Sequence, residues 1–297
     1  MNKQFLLESQ LLSRLEGYRL VRQRPVTDGY VGARRSTAKG GSVEFADYRE
    51  YTAGDEPRRV DWKAYARLGR LYVKEFRDER QEQLLFLIDT SASMDWGEGE
   101  SHKGHHALCL AAGLGTCALA GHDRLSVAAG ADADVRVCSP MTARRSLPRL
   151  WNWLGEISFG GVTDLSGCLR IGINAMPGAT GLYVLSDLLD TAGVEEMLRL
   201  AAGHGMAVTL LHTLAPDELE PQGDGELTLV DAETGARVDV SLTPGVLRDY
   251  ADRLEQLCGT LDQSCRRWGA RRLLINTGRP PAEILLYTLP GLGVLKK

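Results

Sequence analysis

The sequence predicts an α/β fold: a doubly wound, mostly parallel sheet with helices on both faces. Three apolar runs carry that expectation. Leu84-Leu85-Phe86-Leu87-Ile88 is long enough for one strand and too short for a membrane span, and its unbroken hydrophobicity fits a strand covered on both faces. Gly181-Leu182-Tyr183-Val184-Leu185-Ser186-Asp187 is a second run and Met206 to His212 a third. Stretches with helical spacing separate them, which is the alternation of a parallel sheet with crossover helices.

Composition sets the outer limits. A chain of 297 residues holds one large α/β domain with an extension, or two small domains. Its apolar content of 43% and charge of 25% are those of an ordinary soluble protein rather than a disordered one. The weakly polar run Ala107 to Ala120 is Ala- and Gly-rich and only about two thirds of the length of a membrane span, so no span is expected. Glu8 interrupts the apolar start Phe5-Leu6-Leu7 where a signal peptide would run its core, so the expected location is cytoplasmic.

The cysteines Cys109, Cys117, Cys138, Cys168, Cys258 and Cys265 contain no Cys-x-x-Cys pair, and reduced core thiols are expected. Charge is uneven. Residues 1–80 carry 17 basic and 12 acidic side chains, and the other 217 residues carry 18 and 27. The basic residues are interleaved with acids, which favours attraction between parts of one protein over binding to nucleic acid.

Taken in order, residues 4–20 place Leu7, Leu11, Leu12 and Leu15 at the spacing of a short amphipathic helix. Thr27 to Ser42 is rich in Gly, Arg and small polar residues and reads as a loop. Val43 to Tyr51 alternates as a half-buried strand does, Ala53-Gly54-Asp55-Glu56-Pro57 supplies a turn, Val60 to Gly69 a helical turn or two, and Leu71 to Phe76 a returning strand. These elements make up a basic extension over 1–80, with the α/β domain over 81–297.

Within that domain, Ala107 to Ala120 reads as a helix after a polar, Gly-rich loop. His102, His105 and His106 at its start invite a zinc reading, but a solvated helix start is the expectation. Arg124 to Ala129 and Ala133 to Cys138 are two strands across a turn, and Leu147, Leu150, Trp151, Leu154 and Ile157 form a helical stripe facing the core. A helix then runs through Leu169 to Ile173 with Asp164 in its first turn, and Asp190 caps the helix continuing to Ala202. A β-hairpin is inserted at the sheet edge over about 216–243, with Asp231 to Gly235 as its turn. The helix Val246 to Trp268, the strand Arg272 to Asn276 and a helix opened by Pro280-Pro281 close the chain.

The chemistry-bearing stretch begins where the first buried run stops. Asp89-Thr90-Ser91-Ala92-Ser93 has the spacing Asp-x-Ser-x-Ser at a strand-to-loop junction, the place where open α/β sheets bind ligands. One carboxylate and two hydroxyls suit a hard cation such as Mg²⁺, which takes about six oxygen ligands and is only partly neutralised by such a set. The competing reading is that Asp89 and Ser91 cap the following helix. Two further residues add to the cation reading, which draws most of its weight from the resemblance given below. Thr163, in the loop Phe159-Gly160-Gly161-Val162-Thr163, offers a third hydroxyl, and Asp187 ends the second buried run as Asp89 ends the first.

Tyr48-Arg49-Glu50-Tyr51, Gly54-Asp55-Glu56-Pro57-Arg58-Arg59-Val60-Asp61-Trp62-Lys63-Ala64, Gly69-Arg70-Leu71-Tyr72-Val73-Lys74-Glu75-Phe76 and then Asp89-x-Ser-x-Ser, in this order, resemble the bacterial family called domain of unknown function fifty-eight. Its members are similar to von Willebrand factor A domains carrying a metal-ion-dependent adhesion site. The resemblance runs from about residue 40 to the carboxyl end. It implies that Asp89, Ser91, Ser93, Thr163 and Asp187 hold Mg²⁺, with Mn²⁺ or Ca²⁺ as alternatives, and that an Asp or Glu of a partner protein completes the coordination. Val162 stands directly before Thr163, where relatives often carry glycine. The resemblance also implies a partner class, MoxR-type AAA+ ATPases or their clients, and an adaptor role in chaperone-like activation or maturation.

The resulting expectation is a non-enzymatic, metal-dependent protein-interaction module. An aspartate-nucleophile phosphatase would want a second acid two residues after Asp89, where Ser91 stands. A structural protein with an unused site is the other alternative. A nucleotide-binding enzyme is disfavoured, because no Gly-x-Gly-x-x-Gly or Gly-Lys-Ser/Thr motif follows any expected strand. Arg34, Arg35, Arg58, Arg59 and Arg70 could form a second contact surface, although Arg58 and Arg59 are expected to pair internally with Asp55 and Asp61.

Overall fold

The computed structural model describes residues 7–21, 43–52, 60–78, 81–132, 134–221 and 225–297. The expected loop at Thr27 to Ser42, the turn at Ala53 to Pro57, and Arg34, Arg35, Arg58, Arg59 and Asp55 lie outside the described residues. The chain divides into two units, one of Met1–Gly29 with Glu82–Lys297 and one of Tyr30–Gln81.

In the larger unit a short helix, α1 (Ser9–Leu15), leads into β1 (Arg19–Leu20). Leu11, Leu12 and Leu15 are buried in the main core, because three leucines on one helical face need an apolar partner. A single extension over 1–80 is therefore not what forms. Its first residues belong to the α/β body, and only 30–81 stand as a separate unit. In that smaller unit β2 (Val43–Glu50) is followed by α2 (Trp62–Leu68) and β3 (Tyr72–Asp78). β2 and β3 pair antiparallel with an irregularity between Phe45 and Asp47, and Asp61 Oδ1 accepts from the Ala64 N–H at 3.1 Å, capping α2. Arg70 pairs with Glu50 at 3.3 Å on the surface.

The body continues through β4 (Gln83–Asp89), α3 (Lys103–Ala120), β5 (Arg124–Ala131), β6 (Asp134–Thr142), α4 (Leu147–Leu154), α5 (Leu165–Ala175), β7 (Gly181–Ser186), α6 (Thr191–Gly203) and β8 (Ala207–Leu214). The one-turn α7 (Pro216–Leu219), strands β9 (Gly225–Val230) and β10 (Arg237–Leu242), α8 (Pro244–Trp268), β11 (Arg271–Asn276), a helical run over 281–291 and β12 (Leu295–Lys296) complete it. β12 pairs antiparallel with β1. Among the described residues no helix is long and apolar enough to cross a membrane. The cysteines are all free thiols, buried except for the half-buried Cys258.

The central sheet has six strands in the order β11-β8-β7-β4-β5-β6, parallel throughout except for the antiparallel pair β5-β6. β4 lies inside it, and its alternate residues serve opposite layers. Phe86 and Ile88 pack with α1, α3, α4 and the closing helices, while Leu85 and Leu87 pack with α5, α6 and α8. The chain leaves β4 in one direction through β5 and β6 and returns on its other side through β7 and β8. That reversal makes the carboxyl ends of β4 and β7 the switch point of the sheet.

Two elements depart from expectation. Among the described residues the hairpin β9-β10 pairs only with itself and extends no edge of the central sheet. The helix α8 carries Leu247, Tyr250, Leu254, Leu257, Cys258, Leu261, Cys265 and Trp268 at helical spacing, expected to form one core-facing stripe, yet buries fully only Leu261 and Cys265. Its 25 residues run for about 37 Å, whereas a six-residue strand such as β11 covers about 20 Å, so the first half of α8 overhangs the sheet. There Tyr250 Oη donates to the Glu218 carbonyl at 2.6 Å.

Candidate functional site

Asp89 ends β4 and is fully buried. The chain then turns back on it. The Ser91 N–H donates to Asp89 Oδ1 at 3.0 Å, and the Ser91 and Ser93 hydroxyls lie 3.0 Å apart on a single 3-10 turn, Ala92–Met94. Neither Asp89 nor Ser91 caps α3. That helix starts ten residues beyond Ser93 and is capped by His102, whose Nδ1 accepts from the His105 N–H at 3.1 Å.

Thr163 reaches the same place through a loop stitched on both sides. Gly160 N–H donates to the Thr90 carbonyl at 2.8 Å, and Ala92 N–H donates to the Gly161 carbonyl at 3.0 Å. From the β5-β6 turn, Asp132 N–H donates to the Val162 carbonyl at 2.8 Å, while its Oδ2 accepts from the Val162 N–H at 3.0 Å. Gly161 has φ +85°, and a Cβ on it would lie 2.5 Å from Asp132 Oδ2, so only glycine fits there. Val162 needs only its backbone for these bonds and is 44% exposed. Thr163 Oγ1 then lies 3.5 Å from Asp89 Oδ2, at the outer limit of a hydrogen bond, and donates to Glu233 Oε1 at 3.0 Å. Asp164, expected in the first turn of α5, is its N-cap and accepts from the Gly167 N–H at 2.8 Å.

Asp187 follows β7, the parallel neighbour of β4, whose Leu185 pairs with Ile88. The next register step sets Ser186 beside Asp89, and Ser186 Oγ donates to Asp89 Oδ2 at 2.6 Å. Asp187 itself is buried. Its Oδ2 accepts from Lys103 Nζ at 2.8 Å, and the same ammonium reaches Glu218 Oε1 at 2.6 Å. Its Oδ1 is buried without a hydrogen-bond partner among the described residues. Leu188 holds the backbone at φ +54° immediately after, an unusual conformation for a leucine. Ser186 Oγ accepts from the Leu188 N–H at 3.0 Å, tying that bend to the Asp89 contact. As expected, the α6 cap is Asp190, accepting from the Gly193 N–H at 3.1 Å, which leaves Asp187 to the rim.

Electrostatically the rim is under tension. Burial, with the charge of Asp187 second, pushes the Asp89 carboxyl up to about 6, against the hydrogen bonds from Ser186 and Ser91 that favour its charged form. The histidines do not join it. His106 is buried with Nε2 on the Arg279 carbonyl at 2.9 Å, and His102 Nε2 contacts Asp95 at 3.0 Å, so this helix start is bonded and partly buried rather than solvated. Among the described residues no group of three His, Cys, Asp or Glu side chains is arranged to hold a metal. Any cation here depends on hydroxyls as well as carboxylates.

The structure links Asp89, Ser91, Ser93 and Thr163 by hydrogen bonds and sets Asp187 at the end of the adjacent strand. Four participants carry no motif. Ser186 was legible only through the β4-β7 register. Lys103 stands in a polar helix start that gives no sign of burial, Glu218 lies on the one-turn α7, and Glu233 lies in the turn of the inserted hairpin.

A family model described as "Protein of unknown function DUF58" matches residues 47–256. Uncharacterized proteins of Mycobacterium bovis and Mycobacterium tuberculosis are each 26% identical over 245 residues, covering 81% of this chain and 76% of the relative. Among solved structures, the conserved hypothetical protein BatB from Bacteroides thetaiotaomicron is similar with a TM-score of 0.41 and 15% identity, over 66% of this chain and 90% of that one.

Proposed function

Because the chain belongs to the family described as Protein of unknown function DUF58, a description that names no activity, we propose from the rim itself that it is a non-enzymatic, divalent-metal-dependent protein-interaction module. Asp89, Ser91, Ser93, Thr163 and Asp187 would hold Mg²⁺, or Mn²⁺ or Ca²⁺ in its place, as in the von Willebrand factor A-like adhesion sites it resembles. An Asp or Glu of a partner protein would take a remaining position. On the family resemblance alone, that partner is a MoxR-type AAA+ ATPase or its client, met in the cytoplasm.

The observation that carries this reading is the buried Asp187 Oδ1 without a partner among the described residues, one strand from the buried Asp89. Native proteins rarely leave a carboxylate oxygen so, and an ion is one of the few explanations. The charge count agrees. Asp89, Asp187, Glu218 and Glu233 bring four carboxylates to the rim against the single ammonium of Lys103, and a divalent cation would offset part of that excess. The donor chemistry agrees as well, because five side chains offer only oxygens where Mg²⁺ takes about six. When bound, the cation would supply a positive centre for an incoming carboxylate.

The phosphatase alternative gains no support from the rim. Ser91 stands where that chemistry wants a general acid, and its hydroxyl is engaged with Ser93.

Calorimetry with Mg²⁺ or Mn²⁺ tests the proposal. Saturating metal should stabilise the protein, by about 2.7 kcal/mol at a hundred times Kd, and Asp89→Ala should abolish binding. Undiminished binding in that variant removes the site. Capture of the ATPase should fail in a chelator, and a complex that survives at full affinity moves the contact elsewhere.

A further inference from the structure

The inserted hairpin touches the candidate site through a carboxylate. Glu233, at its tip, accepts from Thr163 Oγ1 at 3.0 Å, the same hydroxyl that faces Asp89. The tip is built to present it. Asp231 Oδ1 accepts from the Glu233 N–H at 2.9 Å and the Thr234 N–H at 2.7 Å, Asp231 N–H and the Ala236 carbonyl close the turn at 2.8 Å, and Gly235 supplies φ +71°. The two strands behind it are bound far less firmly. β9 is exposed along its length, and Leu227, Leu229 and Val238 stand open to solvent. The register pairs Leu229 with Val238 and Leu227 with Val240, so these side chains share one face. A lone two-stranded hairpin of this kind is marginal in water and belongs to the low-stability part of a structure.

We propose that Glu233 is a built-in occupant of the acid position at this rim, and that a partner's carboxylate gains the position only when the hairpin tip gives way. This deepens the metal-dependent reading above and rests on it. A partner offers the site an Asp or Glu, and the chain already holds a Glu against one of the five oxygens assigned to the cation. The internal acid competes at the high effective concentration of a tethered group. Partner affinity is then reduced by the fraction of molecules whose tip is closed.

The test uses the full chain saturated with Mn²⁺ and acetate as a carboxylate probe, read by the water-proton relaxation that Mn²⁺ causes and acetate quenches on coordination. Four proteins are compared: wild type, Glu233→Gln, Glu226→Gln at the base of the hairpin, and Asp89→Ala. For a tip closed in about nine molecules of ten, Glu233→Gln lowers the acetate concentration at half effect about tenfold. Glu226→Gln, which removes the same charge from the same hairpin, should behave as wild type. Equal acetate response in wild type and Glu233→Gln, with Mn²⁺ bound in both, overturns the internal occupant and leaves the cation site standing. An equal shift in Glu226→Gln overturns it too, by reducing the effect to general charge. Absence of Mn²⁺ binding in wild type, or its persistence in Asp89→Ala, defeats the underlying site and this inference with it.

Discussion

Lys103 Nζ lies 2.8 Å from Asp187 Oδ2, with both side chains about 1% exposed. The first residue of α3 thus neutralises an acid that follows β7, and Glu218 of α7 holds the ammonium from its other side at 2.6 Å. Three elements meet through one cation of the chain itself. Removing that cation while leaving Asp187 buried should cost about 3–5 kcal/mol, the range for breaking a buried pair on one side. Lys103→Met is therefore expected to lower the urea midpoint strongly at pH 7, with saturating Mg²⁺ recovering part of the loss. A change under about 1 kcal/mol would place this pair with surface bridges.

The pH response follows from Asp89. Its carboxyl sits at about 6 in the fold against 3.8 ordinarily, so the folded protein holds this proton more tightly than the unfolded chain. Stability from that group is fully present below about pH 4 and is lost as pH rises through 6, by on the order of 2–3 kcal/mol. His212 acts in the opposite sense. Burial, with Arg272 second, lowers it to about 4, so its contribution is present above 6.5 and lost as pH falls through 4. The difference between wild type and Asp89→Asn isolates the carboxyl. In metal-free buffer the variant should gain on wild type between pH 4 and pH 7, and a constant difference across that window contradicts the assignment. Saturating Mg²⁺, which favours ionised Asp89, should reverse the trend in wild type alone.

The parts visible in sequence share a physical basis. Unbroken apolar runs at Leu84 to Ile88 and Gly181 to Leu185 fit parallel strands covered on both faces, and Asp89 and Asp187 stand out because each run ends on a charge. The Gly160-Gly161 pair marks a loop needing unusual backbone angles. Lys103 was invisible because burial of a lysine is decided by acids 84 and 115 residues away. The overhang of α8 was equally hidden, since periodicity records which face of a helix is apolar and not how far the sheet beneath it extends. Glu233 lies in a polar turn that reads as solvent-facing, and only the fold brings it to Thr163.

Ser186 offers a separate handle on Asp89. Its hydroxyl donates to Asp89 Oδ2 at 2.6 Å and accepts from the Leu188 N–H at 3.0 Å. Ser186→Ala removes a hydrogen bond that favours the charged carboxylate, so the Asp89 carboxyl should move further above its present value. The cost in stability should be about 1–3 kcal/mol, that of a buried polar group losing its partner. The distinguishing readout is the pH at which Mn²⁺ affinity falls by half. It should move to higher pH in the variant, and an unchanged midpoint would show that Ser186 supports only the Leu188 bend.

Thr163 tests whether the loop or the side chain governs the site. The loop is held by three backbone bonds to Thr90, Ala92 and Asp132 and by a fourth from the Val162 N–H to the Asp132 carboxylate, and Gly161 sits among them where a Cβ would strike Asp132 Oδ2. Gly161→Ala must therefore either change φ from +85° or push Asp132 away, which breaks its bond to Val162, and both routes displace Thr163 without altering any proposed ligand. The strain should cost about 1–3 kcal/mol. Mn²⁺ affinity should fall along with stability. Thr163→Val is the complementary variant, since it keeps the loop and removes only the hydroxyl. If the hydroxyl is a ligand, Thr163→Val weakens Mn²⁺ binding while its metal-free melting temperature stays near wild type. Binding that is lost in Gly161→Ala yet intact in Thr163→Val would instead assign the loop's role to the carbonyls and amides it brings to Thr90 and Ala92.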